Sequence, residues 1–168
     1  MKGKLLLATA LLSLSGAASC AVLTDGVNAQ FFAQNGTLAL KIQNSRKDMP
    51  VHIGNVSLLL AQKKGQKKSD VAYQTTANVD IAPGSDATVT LLPVQQLAMS
   101  MQKHGDAPTT GYSEVLVDND PNGCGGCNAG KSHNFQSIGF GAQADASFNG
   151  GAVKVNTLFG GYLVFATK

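Results

Sequence analysis

The chain has no tryptophan, and aromatic residues fill only 6% of its 168 positions. Charged residues make up 14%, well below the quarter usual in globular proteins. So sparse and mixed a charge set excludes a nucleic-acid binder, which needs a dense basic face. No hydrophobic run reaches bilayer length. The run Leu5–Leu14 falls short of the about 20 apolar residues that a spanning helix requires. No Ser-His-Asp order, nucleophile elbow or paired carboxylates stands out, and His52, His104 and His133 are scattered. The expectation is a protein that is not an enzyme and carries no cofactor. Glycine, by contrast, is plentiful, and 11 of its 19 copies lie between Gly111 and Gly161. That composition suits turns between strands better than helices.

The N-terminus is organised for export. Lys2 and Lys4 form a basic start, Leu5–Leu14 an apolar segment, and small residues follow. The stretch Ser15-Gly16-Ala17-Ala18-Ser19-Cys20 resembles a bacterial lipobox, with Ala17 where leucine is usual. The resemblance implies a signal peptide over residues 1–19, removal before Cys20, and diacylglycerol on its sulfur. Ala21 stands where an aspartate would retain the protein in the inner membrane, which implies an outer-membrane lipoprotein facing the periplasm of a Gram-negative cell. The alternative is an ordinary secretory cut after Ala18 or Ala21, releasing a soluble periplasmic or secreted protein. Parity favours the lipid: with Cys20 a thioether, Cys124 and Cys127 remain as an even pair. The leader holds two of the 13 basic residues and no acid, so 11 basic residues face 10 acidic ones after its removal.

The remainder reads as a lipidated tether over residues 20–28 and one β-domain over 29–168. In 37–44, Leu38, Leu40 and Ile42 alternate with Ala39, Lys41 and Gln43, the period of a half-buried strand. Asn35-Gly36 is a hairpin signal that pairs this strand with 28–33. Further strands are expected over 51–61, bent at Gly54-Asn55, and over 71–81, 86–92, 112–118, 135–140, 152–156 and 161–167. After Pro93, the residues Val94, Leu97, Ala98 and Met101 have helical spacing, so a short helix is expected over 94–103. About nine short strands make an all-β antiparallel sandwich. Residues 37–92, with Leu38–Asn44, Met49-Pro50-Val51, Val79–Gly84 and Thr88–Leu91, resemble immunoglobulin-like domains of exported bacterial proteins. That resemblance implies architecture only.

Several motifs carry chemical readings. Gly125–Ser132 matches a phosphate-loop pattern, but the residues after it read as strand rather than helix, and no nucleotide is expected. Cys124-Gly-Gly-Cys127 reads as a structural disulfide, with metal binding (adding His133) or a redox dithiol as alternatives. Asp118, Asp120 and Asn122 match the first half of a calcium loop, whose closing acid would fall on Ala129. A plain turn uses the same residues. Met99, Met101 and His104 offer soft ligands to copper, as do Met49 and His52. In a helix the two thioethers of Met99 and Met101 point about 200° apart, whereas in a strand they share a face. Lys63, Lys64, Lys67 and Lys68 would meet anionic lipid, lipopolysaccharide or an acidic partner, or form a solvated loop.

These features lead to the expectation of a non-catalytic envelope lipoprotein that binds or braces another envelope component, such as a secretion or surface-appendage assembly. A periplasmic metal-binding protein is the alternative.

Overall fold

A computed structural model describes residues 21–119 and 134–167. The elements run β1 (Ala21–Thr24), β2 (Val27–Gln34), β3 (Thr37–Asn44), β4 (Val51–Leu60), β5 (Val71–Ile81), β6 (Asp86–Pro93), α1 (Val94–His104), β7 (Glu114–Asp118), β8 (Phe135–Phe148), β9 (Gly151–Val153) and β10 (Leu158–Ala166). One sheet has the order β1-β2-β3-β6. The other has the order β5-β4-β8-β10-β7, with β9 added to β8. Every pairing is antiparallel. The protein is therefore an all-β sandwich with one short helix, as its strand periodicity predicts.

Local sequence explains most of the hairpins. Asn35 and Gly36 both adopt positive φ, 51° and 73°, as a type I′ turn demands. Leu38, Leu40 and Ile42 then face inward while Lys41 and Gln43 face solvent. Asn149 and Gly150, at 49° and 77°, make an equivalent turn between β8 and β9. The expected bend in β4 is present as a register shift between Ile53 and Asn55.

Two expectations need correction. The segment 20–28 is not a tether from Ala21 onward. Leu23 and Val27 are fully buried, and Asp25-Gly26 turns β1 back onto β2. The Leu23 carbonyl also accepts a hydrogen bond from the Asn156 N–H at 2.8 Å. A strand of four residues is too short to display a period, which is why composition concealed it. The strand expected over 135–140 instead continues to Phe148. Ala142, Ala144 and Ala146 point inward and alternate with exposed Gln143 and Asp145, but alanine contributes little to a hydrophobic pattern.

The core lies between the two sheets and extends under α1, whose Val94, Leu97, Ala98 and Met101 are buried. Phe31 and Phe140 meet edge-to-face, with centroids 4.8 Å apart. They occupy the space beside Gly161, where an added Cβ would lie 2.4 Å from the Phe140 ring and 2.8 Å from Phe31. At the opposite end from α1, buried Asn44 ties the β3–β4 connection to the end of β5. Its amide nitrogen donates to the carbonyls of Met49 and Ile81, both at 3.0 Å, and its oxygen accepts from the Arg46 N–H at 3.1 Å.

Candidate functional site

Among the described residues, a cluster of ionisable side chains sits where α1 ends. Gly105 takes a left-handed φ of 87°, its N–H bonds the Gln102 carbonyl at 3.0 Å, and the Asp106 N–H bonds the Met101 carbonyl at 2.9 Å. This is a Schellman ending, and it turns the chain so that Asp106 meets the last helical side chain. His104 is thereby gripped from two sides: Nδ1 by Asp106, and Nε2 by Asp70 at 2.8 Å from the start of the β5 segment. Lys63 adds a third link by donating to the His104 carbonyl. Gln66 shapes the loop that delivers these groups, accepting from the Lys63 N–H at 2.9 Å and donating to Asp70 at 3.2 Å.

The charges follow from this geometry. The hydrogen bond to Asp106, then the one to Asp70, raises the proton affinity of His104 above its ordinary value of 6.5. Asp70 is held below 3.8, first by His104 and then by Gln66. Both ring nitrogens of His104 are engaged by carboxylates, which leaves neither free for a metal. With its side chain only 11% exposed, His104 serves as a clasp between the helix and the β4–β5 loop.

The soft-ligand set drawn from the sequence is consequently not assembled. Met101 is fully buried in the core, Met99 is 60% exposed on the opposite helix face, and His104 belongs to the clasp. The segment is helical, and helical geometry separates the two thioethers. Met49 is half-buried and gives its carbonyl to Asn44, while His52 Nδ1 is held by Asp80 at 2.8 Å. Among the described residues no group of three or more His, Cys, Asp or Glu is placed to hold a metal ion. Asp118 closes β7, and one of its carboxylate oxygens accepts from the Asn119 N–H at 2.7 Å. Asp120 and Asn122 lie outside the described residues, as do Cys20, Cys124, Cys127, His133 and the phosphate-loop match. Of the four lysines, Lys63 is committed to the helix end, and all four are exposed.

A second feature is an edge rather than a cavity. β5 ends its sheet, paired with β4 on one side and with no strand on the other among the described residues. It is long for an edge strand, with 11 residues, and carries no charge from Val71 to Val79. Val71 is 58% exposed. Cross-strand bonds stiffen the solvent face beside it: Thr76 Oγ1 donates to Asn55 Oδ1 at 2.9 Å, and Asn55 Nδ2 donates to Asp145 at 3.1 Å. The strand itself was legible in the sequence. Its position at an edge depends on which strands pair and carries no local signal.

No protein-family model matches the chain, and neither does any curated protein sequence. Among solved structures, a crystal structure of a protein from Archaeoglobus fulgidus aligns with 84% of this chain and 95% of that one, at 12% identity and a TM-score of 0.38.

Proposed function

We propose that the mature protein is a non-catalytic, lipid-anchored component of a bacterial envelope that holds or braces another envelope component through a sheet edge. The observation that carries this reading is the edge of β5, which bears no charge from Val71 to Val79 and pairs with no further strand among the described residues. Its outward N–H and C=O groups form a template onto which an extended partner segment adds as a further strand. The export leader and the lipobox-like stretch ending at Cys20 support placement in the envelope. The order β2-β3-β6 against β5-β4-β8-β10 follows the A-B-E and C′-C-F-G order of immunoglobulin-type sandwiches, which supports that finer reading of the fold.

The test is photo-crosslinking in a Gram-negative host, with a benzophenone amino acid at Gln74 of the full-length chain. One envelope protein is expected to be captured. Its yield is expected to fall at least fivefold when Thr76→Lys places a charge on the edge, because edge charges oppose strand addition. Capture that is indifferent to the lysine, or no capture from intact envelopes, would refute the edge as the contact.

A further inference from the structure

We infer that the lipid on Cys20 holds the domain against its bilayer by the β1 edge, leaving the β5 edge directed away from the membrane. This rests on the reading of Cys20 as lipidated and adds to it an orientation and a lipid-facing surface. The argument begins with the reach of the chain. Ala21 already pairs with Ala29, part-way along β2, so the backbone leaves the domain from the side of a sheet and not from a loop at its end. One residue spans at most about 3.6 Å, so Cys20 supplies almost no leash.

β1 cannot readily peel away to supply one. β2 holds it on one flank. On the other, the Asn156 N–H donates to the Leu23 carbonyl at 2.8 Å, and Thr24 Oγ1 donates to the Lys154 carbonyl at 3.2 Å. Leu23 is buried in the core, so releasing the strand would expose it. The surface beside the anchor suits a headgroup layer: Val22 is 56% exposed, and Lys154, whose carbonyl accepts from Thr24 at the other end of β1, is exposed on the flanking segment. β6 lies at the other end of the same sheet and packs against β5. Three interstrand spacings of about 4.8 Å separate β1 from β6, so β5 stands on the far flank.

The absence of tryptophan makes the test clean. Mature protein, expressed from the full-length chain and carrying Val22→Trp, Lys154→Trp or Thr76→Trp, is reconstituted into phosphatidylcholine vesicles with and without brominated acyl chains, and its intact mass is measured. The expected result is a lipid-sized mass on Cys20, bromine quenching at positions 22 and 154 at least threefold greater than at 76, and loss of that quenching when ten Gly/Ser residues are inserted between Cys20 and Ala21. With the lipid mass present, equal or absent quenching at the three positions overturns the orientation while leaving the anchor intact. Quenching that survives the spacer also overturns it, because the short leash would then not be its cause. An unmodified Cys20 overturns the anchor, and the orientation with it.

Discussion

Replacing Asn44 by aspartate changes one atom of the side chain and inverts its role. The carboxamide donates both N–H bonds to backbone carbonyls, of Met49 and Ile81 at 3.0 Å each, and accepts one bond from the Arg46 N–H at 3.1 Å. Asn44→Asp keeps the acceptor but points a second carboxylate oxygen at two carbonyl oxygens, within a site that is fully buried. Each carbonyl left without its partner costs about 1–3 kcal/mol. Losing both therefore destabilises the domain by about 2–6 kcal/mol. For a domain of this size, each kcal/mol lowers Tm by about 2–4 °C, so a loss of about 10 °C is expected at pH 7. Burial and the facing carbonyls raise the pKa of the new carboxyl above the about 3.9 it has in the unfolded chain. A raised folded-state pKa means that protonation favours the folded state, so the deficit shrinks as pH falls towards 4 and widens as pH rises. Asn44→Leu loses the same two donated bonds and the accepted one as well, but introduces no titrating group, so its deficit relative to the native protein is expected to be nearly flat over that range. Urea unfolding followed by far-UV circular dichroism at pH 4, 5.5 and 7 gives both numbers from Cm at constant m. A loss under about 1 kcal/mol at pH 7, or identical pH profiles for the two variants, would refute the account of Asn44 as the tie between these loops.

The His104 clasp has a defined pH window. The raised pKa of His104 gives stability that is complete below 6.5 and lost as pH rises through the folded value, while the lowered pKa of Asp70 gives stability that is complete above 3.8 and lost as pH falls through its folded value. The Tm difference between the native protein and His104→Gln is therefore expected to be largest between pH 4 and 6.5 and to narrow as pH rises through the folded-state value of His104; a constant difference across a thermal-melt series would show that the ion pairs contribute nothing. Leu23→Ala should cost about 2–3 kcal/mol in urea unfolding, because β1 belongs to the core, and a loss below about 0.5 kcal/mol would return the segment to tether status. Met101→Ala should cost about 2–4 kcal/mol and Met99→Ala less than about 0.5 kcal/mol. Comparable losses in the two melts would contradict their placement on opposite faces of α1.

Much of the fold was legible because its signals are local. The alternation of Leu38, Leu40 and Ile42, the Asn35-Gly36 turn and the stripe Val94, Leu97, Ala98 and Met101 each lie within about one turn or one hairpin, where backbone period and side-chain chemistry are read together. The local signal fails where that information is thin. β1 has four residues, and the continuation of β8 relies on alanines whose burial depends on Val56 and Leu58 of β4 packing beside them. The site was harder still. His104 was visible as a residue of interest, but its partners Asp70 and Asp106 assume their role only after the helix ending and the β4–β5 loop converge. The spacing of His104 from Met99 suggested a ligand set that the helix itself disperses.

Most of the strands from β2 to β6, the helix after them and the Asn35-Gly36 turn were determined by the amino-acid sequence alone, because each depends on φ/ψ preference and a short hydrophobic period. The tertiary structure decided which strands stand at edges, that Ala21 already belongs to a sheet, and that one imidazole is held by carboxylates separated by 34 and by two positions in the chain. Apart from the neighbouring Asp106, those outcomes depend on long-range pairing, in which a residue's neighbours are set by the closing of loops and the burial of shared apolar surface, and no short window along the chain contains both partners.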